Sequence, residues 1–221
     1  MARTLGKLNF PVLNKVRLRN KEDYLLVTWE FLESFESASE RDIASRLGIT
    51  AATASQYISA LVEEGLLNRE GRSILFTPSG KKMTVPLVRM HRVSEVFAYR
   101  FLEVPWEDSH VSVMELEHLF YGEKGETLFK NLGRPSTCPH GNPTNPVERV
   151  PGISASLLQT GNYKVSRVVF EDRDLLKKLA SVEAYPGREV FLDTSDGVTL
   201  KTEIGEIKLF PAETQALILV K

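Results

Sequence analysis

Apolar positions along the chain change their period twice. Between residues 22 and 35, Tyr24, Leu25, Val27, Trp29, Phe31 and Leu32 form one broad apolar face, which predicts a helix. Ser39-Glu40-Arg41-Asp42 opens a second helix with Ser39 as its N-cap; Ile43, Ala44 and Leu47 continue it and Gly48 stops it. A third helix starts near Thr50 or Ala51, runs to Glu64 and ends at Gly65. Short strands at 66–68 and 73–77 flank Arg69-Glu70-Gly71-Arg72, which reads as a hairpin. Pro78-Ser79-Gly80 restarts a long helix to about Phe101, and further helices are expected over about His110 to Tyr121 and Glu126 to Leu132. Residues 133–152 are dense in Pro and Gly and predict an irregular linker. Beyond residue 161 the period shortens. Strands at 165–170, 189–192, 197–202, 206–209 and 215–220, with a helical turn near Asp174 to Leu179, predict a small β-barrel.

Composition narrows the setting. Of 221 residues, 42% are hydrophobic and 26% charged, as in a folded soluble protein of one or two domains. No apolar run reaches the ~18 residues of a spanning helix, so no membrane segment is expected. The N-terminus lacks the apolar stretch and cleavage site of a signal peptide. A single cysteine, Cys138, permits no internal disulfide and fits a reducing cytoplasm. The net charge of -1 carries no nucleic-acid signal, but its distribution is uneven. Arg3, Lys7, Lys15, Arg17, Arg19 and Lys21 face no acidic residue before position 22, and such an arm meets phosphates as readily as it makes a solvated tail.

Helix, glycine turn, short helix and apolar hairpin is the order of a winged helix-turn-helix. In the third helix, Tyr57, Ile58, Leu61 and Val62 are expected inside. Ala52, Thr53, Ser55, Gln56 and Ser59 would then lie along the face that enters a major groove. Gln bonds adenine bidentately, which makes Gln56 the first choice of base reader. Arg69, Arg72, Lys81 and Lys82 would meet phosphates through the wing and its exit. An ordinary helix pair with a merely soluble surface is the plainer alternative.

Histidines and carboxylates recur at helical spacing further on. His91 and Glu95 share a helix face. His110, Met114, Glu117 and His118 form one stripe at ~3.6 residues per turn. Imidazole, thioether and carboxylate make a poor core and a good ligand set for divalent first-row metals. Exposed Glu and His on an amphipathic helix are the alternative for either pair taken alone.

The segments TASQYISALVEEGLL, TPSGKK, MHRVSE, HVSVMELEH and CPHGNP, in that order, resemble the diphtheria toxin repressor family of iron- and manganese-dependent repressors. The likeness covers roughly 22–150 well and 161–221 more weakly. It implies a mainly α chain with a C-terminal β domain. A winged helix-turn-helix domain over 1–84 would be followed by a helical metal-binding and dimerisation domain over 85–150 and a small SH3-like β-barrel over 151–221. It further implies a homodimer on palindromic operator DNA and two metal sites per subunit, for Fe2+ or Mn2+. By matching position, Asp23, Met114, Glu117 and His118 would form the activating site. His91, Glu95 and His110, completed by Glu171 and Asp174, would form an ancillary one. Cys138 and His140 of CPHGNP are read as loop structure.

The chain departs from both branches of that family. Iron-type members place Met at Asp23 and Cys at Met114; manganese-type members have Asp at the first position, within an EDY motif like Glu22-Asp23-Tyr24, and Glu at the second. Many members carry Pro at Ala52. The mixture favours Fe2+, with Mn2+ as the alternative. No nucleophile motif, free catalytic carboxylate pair or phosphate loop supports an enzyme. A winged-helix regulator with another input, and a barrel that binds the Pro-rich 133–151 segment, are the remaining readings.

Overall fold

The computed structural model describes residues 21–114, 120 and 122–221. The basic arm before Lys21, and Glu117 and His118, lie outside the described residues. Three helices, α1 (Lys21–Phe35), α2 (Glu40–Leu47) and α3 (Ala51–Glu63), form a head closed by the hairpin of β1 (Leu67–Glu70) and β2 (Ser73–Phe76). The local chemistry dictates these boundaries. The Ser39 side chain accepts from the Asp42 backbone N–H, and the Asp42 carboxylate accepts from the Ser39 backbone N–H, a reciprocal cap that starts α2. Gly48 ends α2 at φ 66°, a left-handed conformation in which a side chain would be strained, and so turns the chain into α3. Thr50 caps α3 by accepting from the Thr53 backbone N–H at 3.1 Å.

The head buries Tyr24, Leu25, Ile43, Leu47, Ile58, Leu61, Leu67 and Ile74 in one core. Tyr57 departs from expectation. Its side chain is 38% exposed, and its ring stacks at the surface on buried Tyr24, with centroids 4.8 Å apart.

α4 (Pro78–Phe101) serves two cores. It starts at a Thr77 cap with Pro78 in its first turn, where the missing N–H costs nothing. Leu87 and Val88 complete the head core, while Met90, Val93 and Val96 pack with Leu132 in a second core. α4 therefore runs unbroken through the expected division at residue 84. The helix expected over His110 to Tyr121 is described as α5 (Ser109–Val113), and residues 115–119 and 121 are not described. α6 (Glu123–Asn131) follows. The Pro- and Gly-rich stretch forms no helix or named strand up to residue 152. It folds on itself through Cys138 N–H to Asn142 O (2.8 Å) and Gly141 N–H to Cys138 O (3.0 Å).

The C-terminal part is a six-stranded antiparallel sheet in the order β3-β8-β4-β5-β6-β7. Its strands are β3 (Ile153–Ser154), β4 (Gly161–Val168), β5 (Glu189–Asp193), β6 (Val198–Lys201), β7 (Glu206–Leu209) and β8 (Leu217–Val220). β3 was not anticipated. α7 (Arg173–Ser181) is longer than the expected turn, and α8 (Pro211–Ala216) occupies the start of the expected last strand. Leu175, Leu176, Leu179, Leu192, Leu200 and Leu217 fill the interior, and Trp106, from the turn before α5, inserts among them. The Trp106 indole N–H donates to the Pro139 carbonyl at 2.8 Å, so this one ring pins the irregular loop to both flanking parts.

Gly80, in the first turn of α4, is buried against the wing, and a Cβ there would collide with the Leu66 carbonyl oxygen. Gly80→Ala is expected to destabilise the chain by roughly 1–3 kcal/mol through overpacking, read as a lowered midpoint in urea with an unchanged slope.

Candidate metal centre and DNA-reading face

Four segments far apart in the chain deliver polar side chains to one buried point. α4 supplies His91 and Glu95 one turn apart, α5 supplies His110, the Pro-rich loop supplies Cys138 and His140, and the residue before the Asp172 cap of α7 is Glu171. All six are buried. His91 Nε2 lies 3.0 Å from Glu95 Oε1 and 2.9 Å from His110 Nδ1. His110 Nδ1 lies 3.1 Å from Glu95 Oε1 and 2.7 Å from Glu171 Oε2. His140 Nδ1 lies 3.4 Å from Glu95 Oε2 and 3.2 Å from Glu171 Oε2, and Cys138 Sγ is 3.7 Å from Glu171 Oε1.

These separations suit a cation. Donors bonded at ~2.0–2.1 Å to a shared octahedral ion stand ~2.8–3.0 Å apart at right angles, and at ~2.0–2.3 Å to a tetrahedral one ~3.3–3.8 Å apart, so the shorter contacts here match six-coordinate and the longer ones four-coordinate ligation. Two groups of four, His91-Glu95-His110-Glu171 and Glu95-Cys138-His140-Glu171, each bring one ligand atom per residue within 4.8 Å of the others. Glu95 and Glu171 belong to both groups. Glu95 Oε2 and Glu171 Oε2 are buried without a well-formed hydrogen bond, although imidazole nitrogens stand at ion-pair distance from both. Acceptor-only oxygens aimed inward in this way call for positive charge.

Neighbouring groups aim the ligands. The His140 Nε2–H donates to the Trp106 carbonyl at 3.0 Å, which turns Nδ1 towards the two carboxylates. Asn142 Nδ2 donates to Glu171 Oε1 at 2.6 Å and to the Val168 carbonyl at 2.7 Å. Burial disfavours the imidazolium of His140, yet the charges of Glu171 and Glu95 outweigh it and raise its pKa well above the ordinary histidine value. At His110 burial is likewise overcome, by the charge of Glu30 and by hydrogen bonds to Glu171, Glu30 and Glu95. Burial opposes ionisation of Glu95, but the charges of His140 and His91 hold its carboxyl well below the usual range. Burial and then the two carboxylates push the Cys138 thiol up.

Sequence reasoning named His91, Glu95, His110 and Glu171, and the structure brings these four together. Asp174 is exposed in the first turn of α7 and does not join them, because the Asp172 cap sets the helix running away from the cluster. Cys138 and His140, read from sequence as loop structure, stand in the cluster instead. The signal that could have found them is the pairing of thiol and imidazole two residues apart in a buried turn. Asp23 is fully buried on α1 and Met114 is half-buried at the end of α5.

The chain also matches known protein families. Residues 18–75 match the iron dependent repressor N-terminal DNA binding domain, and residues 77–146 match the iron dependent repressor metal binding and dimerisation domain. Together they span more than half of the chain. The chain belongs to the diphtheria toxin repressor family. It is a metal-dependent transcriptional repressor. The iron-dependent repressor IdeR of Mycobacterium leprae is 27% identical over 198 residues, covering 79% of this chain and 84% of the relative. The T. acidophilum IdeR crystal structure superposes with a TM-score of 0.83 at 27% identity, covering 93% of this chain and 99% of that one. The manganese regulator SloR superposes with a TM-score of 0.80 at 27% identity, covering 93% and 100%. Among the described residues, no helix of the repressor is long and apolar enough to cross a membrane.

On the candidate DNA-reading face, Ala52 and Gln56 are exposed along α3, with Thr53, Ser55 and Ser59 partly so. Arg72 is exposed at the tip of the wing, and Lys81 and Lys82 on the first turn of α4. Arg69 is engaged within the protein. It holds Glu40 at 2.7 Å and donates to Ser59 Oγ at 2.9 Å, while the Ser59 hydroxyl donates to the Ser55 carbonyl at 2.8 Å.

His110 and His140 are favoured as imidazolium in the folded, metal-free chain, so the stability they contribute is complete below the ordinary histidine pKa and is lost as pH rises through the raised one. Metal-stripped repressor is therefore expected to lose stability to urea as pH rises above the ordinary histidine pKa of ~6.5, with a weaker slope in His140→Gln. An equal slope in the variant would show that His140 does not carry this charge.

Proposed function

We propose that the repressor binds palindromic operator DNA as a homodimer when Fe2+ or Mn2+ is bound, and so controls metal homeostasis in the cytoplasm. The observation that carries this reading is the buried convergence of His91, Glu95, His110 and Glu171, which joins α4, α5 and the C-terminal sheet at one point. His91, Glu95, His110 and Glu171 would hold one ion. Cys138 and His140 would widen that centre through the shared carboxylates of Glu95 and Glu171. Asp23, Met114, Glu117 and His118 are proposed as the second, activating site. Bound metal supplies the positive charge that cancels carboxylate repulsion and draws segments of different domains to one point.

The sulfur of Met114, at a position where iron-type members also carry sulfur, favours Fe2+, while the Asp23 carboxylate matches the manganese-type members and keeps Mn2+ as the second reading. Both metals have support among relatives, one named an iron-dependent repressor and another a manganese regulator. The homodimer is supported by apolar side chains left at the surface around the end of α4 and on α5: Tyr99 is 46% exposed, Phe101 61% and Val111 50%. Gln56 is proposed to read a base edge, and Ala52, Thr53, Ser55 and Ser59 to line the groove. Arg72, Lys81 and Lys82 would meet phosphates. Arg69 would position Ser59 and reach a phosphate only by exchanging Glu40 for it.

Titration of metal-stripped protein with Fe2+ under anaerobic conditions, and with Mn2+ in parallel, should switch on binding to a palindromic promoter fragment at fixed salt. Glu117→Ala or His118→Ala should abolish that response while the fold persists, and Asp23→Met should shift the preference between the two metals. Equal binding with and without metal would leave a winged-helix regulator of another input. In the metal-loaded state Gln56→Ala should cost ~1–3 kcal/mol and relax selectivity at one base pair, whereas Arg72→Ala should reduce the salt dependence by about one phosphate.

A further inference from the structure

We propose that Glu30 is a positioning residue of the metal centre, one that orients His110 and, with Arg46, ties occupancy of the centre to the DNA-reading head. This rests on the reading of His91, Glu95, His110 and Glu171 as a metal site. Both ring nitrogens of the buried His110 are committed. Nδ1 faces His91 Nε2 at 2.9 Å, Glu95 Oε1 at 3.1 Å and Glu171 Oε2 at 2.7 Å. Nε2, on the opposite side of the ring, faces Glu30 Oε1 at 3.1 Å. A carboxylate oxygen only accepts, so this contact places a hydrogen on Nε2. Nδ1 also faces carboxylates and holds a proton in the metal-free chain; a bound cation would displace that proton, on the side where the other three donors lie. Arg46 NH2 also approaches Nε2, at 3.2 Å, but a guanidinium only donates and has acceptors of its own in Glu30 Oε1 (3.3 Å) and the Glu171 carbonyl (3.2 Å). Arg46 Nε completes the hold on Glu30 Oε2 at 3.0 Å.

Carboxylates that receive the second N–H of a ligating histidine fix its tautomer and ring angle, and losing one typically costs ~10–100-fold in metal affinity. Here that carboxylate belongs to another part of the molecule. Glu30 lies on α1 and Arg46 in the last turn of α2, both in the head, whereas His110 lies on α5. Arg46 continues to the Asp172 carboxylate at 3.9 Å and stacks on the Phe170 ring at 4.7 Å, both in the C-terminal part. Two residues after Arg46 the Gly48 turn leads directly into α3. A ligand angle at the centre is thereby joined to the orientation of the helix that reads DNA. Glu30 and Arg46 carry no direct ligand role and belong to neither ligand group.

The test uses the full-length chain with Mn2+ as probe, affinity from competition with a chromogenic chelator, and amide hydrogen exchange with and without Mn2+. Glu30→Ala should weaken one class of bound Mn2+ by ~10–100-fold and remove the Mn2+-induced protection of residues 40–63. Glu30→Gln keeps an acceptor for His110, so it should recover much of the affinity while holding Arg46 weakly and protecting 40–63 less than wild type. A Glu30→Ala chain with wild-type affinity, or with undiminished protection of α2 and α3, would overturn the proposal. If Glu30→Ala exchanges throughout the head even without Mn2+, the fold itself has loosened; Glu30→Gln then decides, and full protection in it counts against the proposal. His91→Ala separates the two readings: if it binds as many Mn2+ ions as wild type with equal affinity, the metal site fails, irrespective of Glu30.

Discussion

Two carboxylates, Glu95 and Glu171, meet in the interior of this chain, both buried and each presenting an oxygen without a well-formed hydrogen bond. Like charges so placed are costly unless positive charge comes between them. Much of the architecture around them supplies that charge or holds it in place. His91 and Glu95 share a face of α4, His110 arrives on α5, and the Pro-rich loop folds back so that His140 reaches both carboxylates from the far side. Trp106 and Asn142 fix the loop and the Glu171 side chain from outside. Neutralised by protons or by a metal ion, the same six side chains form one knot among three parts of the molecule.

A second ionic junction lies close by. Glu33 of α1 pairs with Arg92 of α4 at 2.5 Å and with Arg167 of β4 at 3.3 Å, and Arg92 also donates to the Pro143 carbonyl at 3.0 Å. Head, central helices, loop and sheet thus meet through buried and half-buried charges more than through a shared apolar core. Apolar packing is largely local to each part, with Trp106, α4 and the Phe170 ring, which meets Phe31 and Phe35 of α1, as crossing elements. Junctions of this kind are sensitive to the loss of a single charge, because the remaining partner is left buried without compensation.

The fold was legible where local chemistry sets it. The Ser39 cap, the Gly48 turn, the Thr77-Pro78 restart and the alternating strands after residue 161 all act within a few residues, and pattern reading located each. Tyr57 was misplaced because a helix of one broad apolar face does not reveal that an aromatic ring at its margin stacks on a neighbour rather than entering the core. The candidate site was half legible. His91, Glu95 and His110 sit at helical spacings, and Glu171 came by resemblance. Asp174 came by the same resemblance, but the Asp172 cap starts α7 only after Glu171 and leaves Asp174 exposed on its first turn. Cys138 and His140 belong to a loop whose course depends on Trp106 and Asn142, and no periodicity encodes such a course. Glu30 stayed silent for a related reason, since its partners Arg46, 16 residues on, and His110, 80 residues on, are distant in the chain.

The same spread along the chain has a consequence for synthesis. Glu171 is made 83 positions after Val88, the residue that completes the core of the winged head. At ~5–20 residues per second, the ribosome exposes a finished winged head roughly 4–17 s before the last shared carboxylate emerges. During that interval the chain has its N-terminal DNA binding domain and lacks a residue common to both ligand groups. If this centre holds the metal as proposed, newly made repressor is unresponsive through it until the C-terminal part of the chain folds back onto the helices that carry His91, Glu95 and His110.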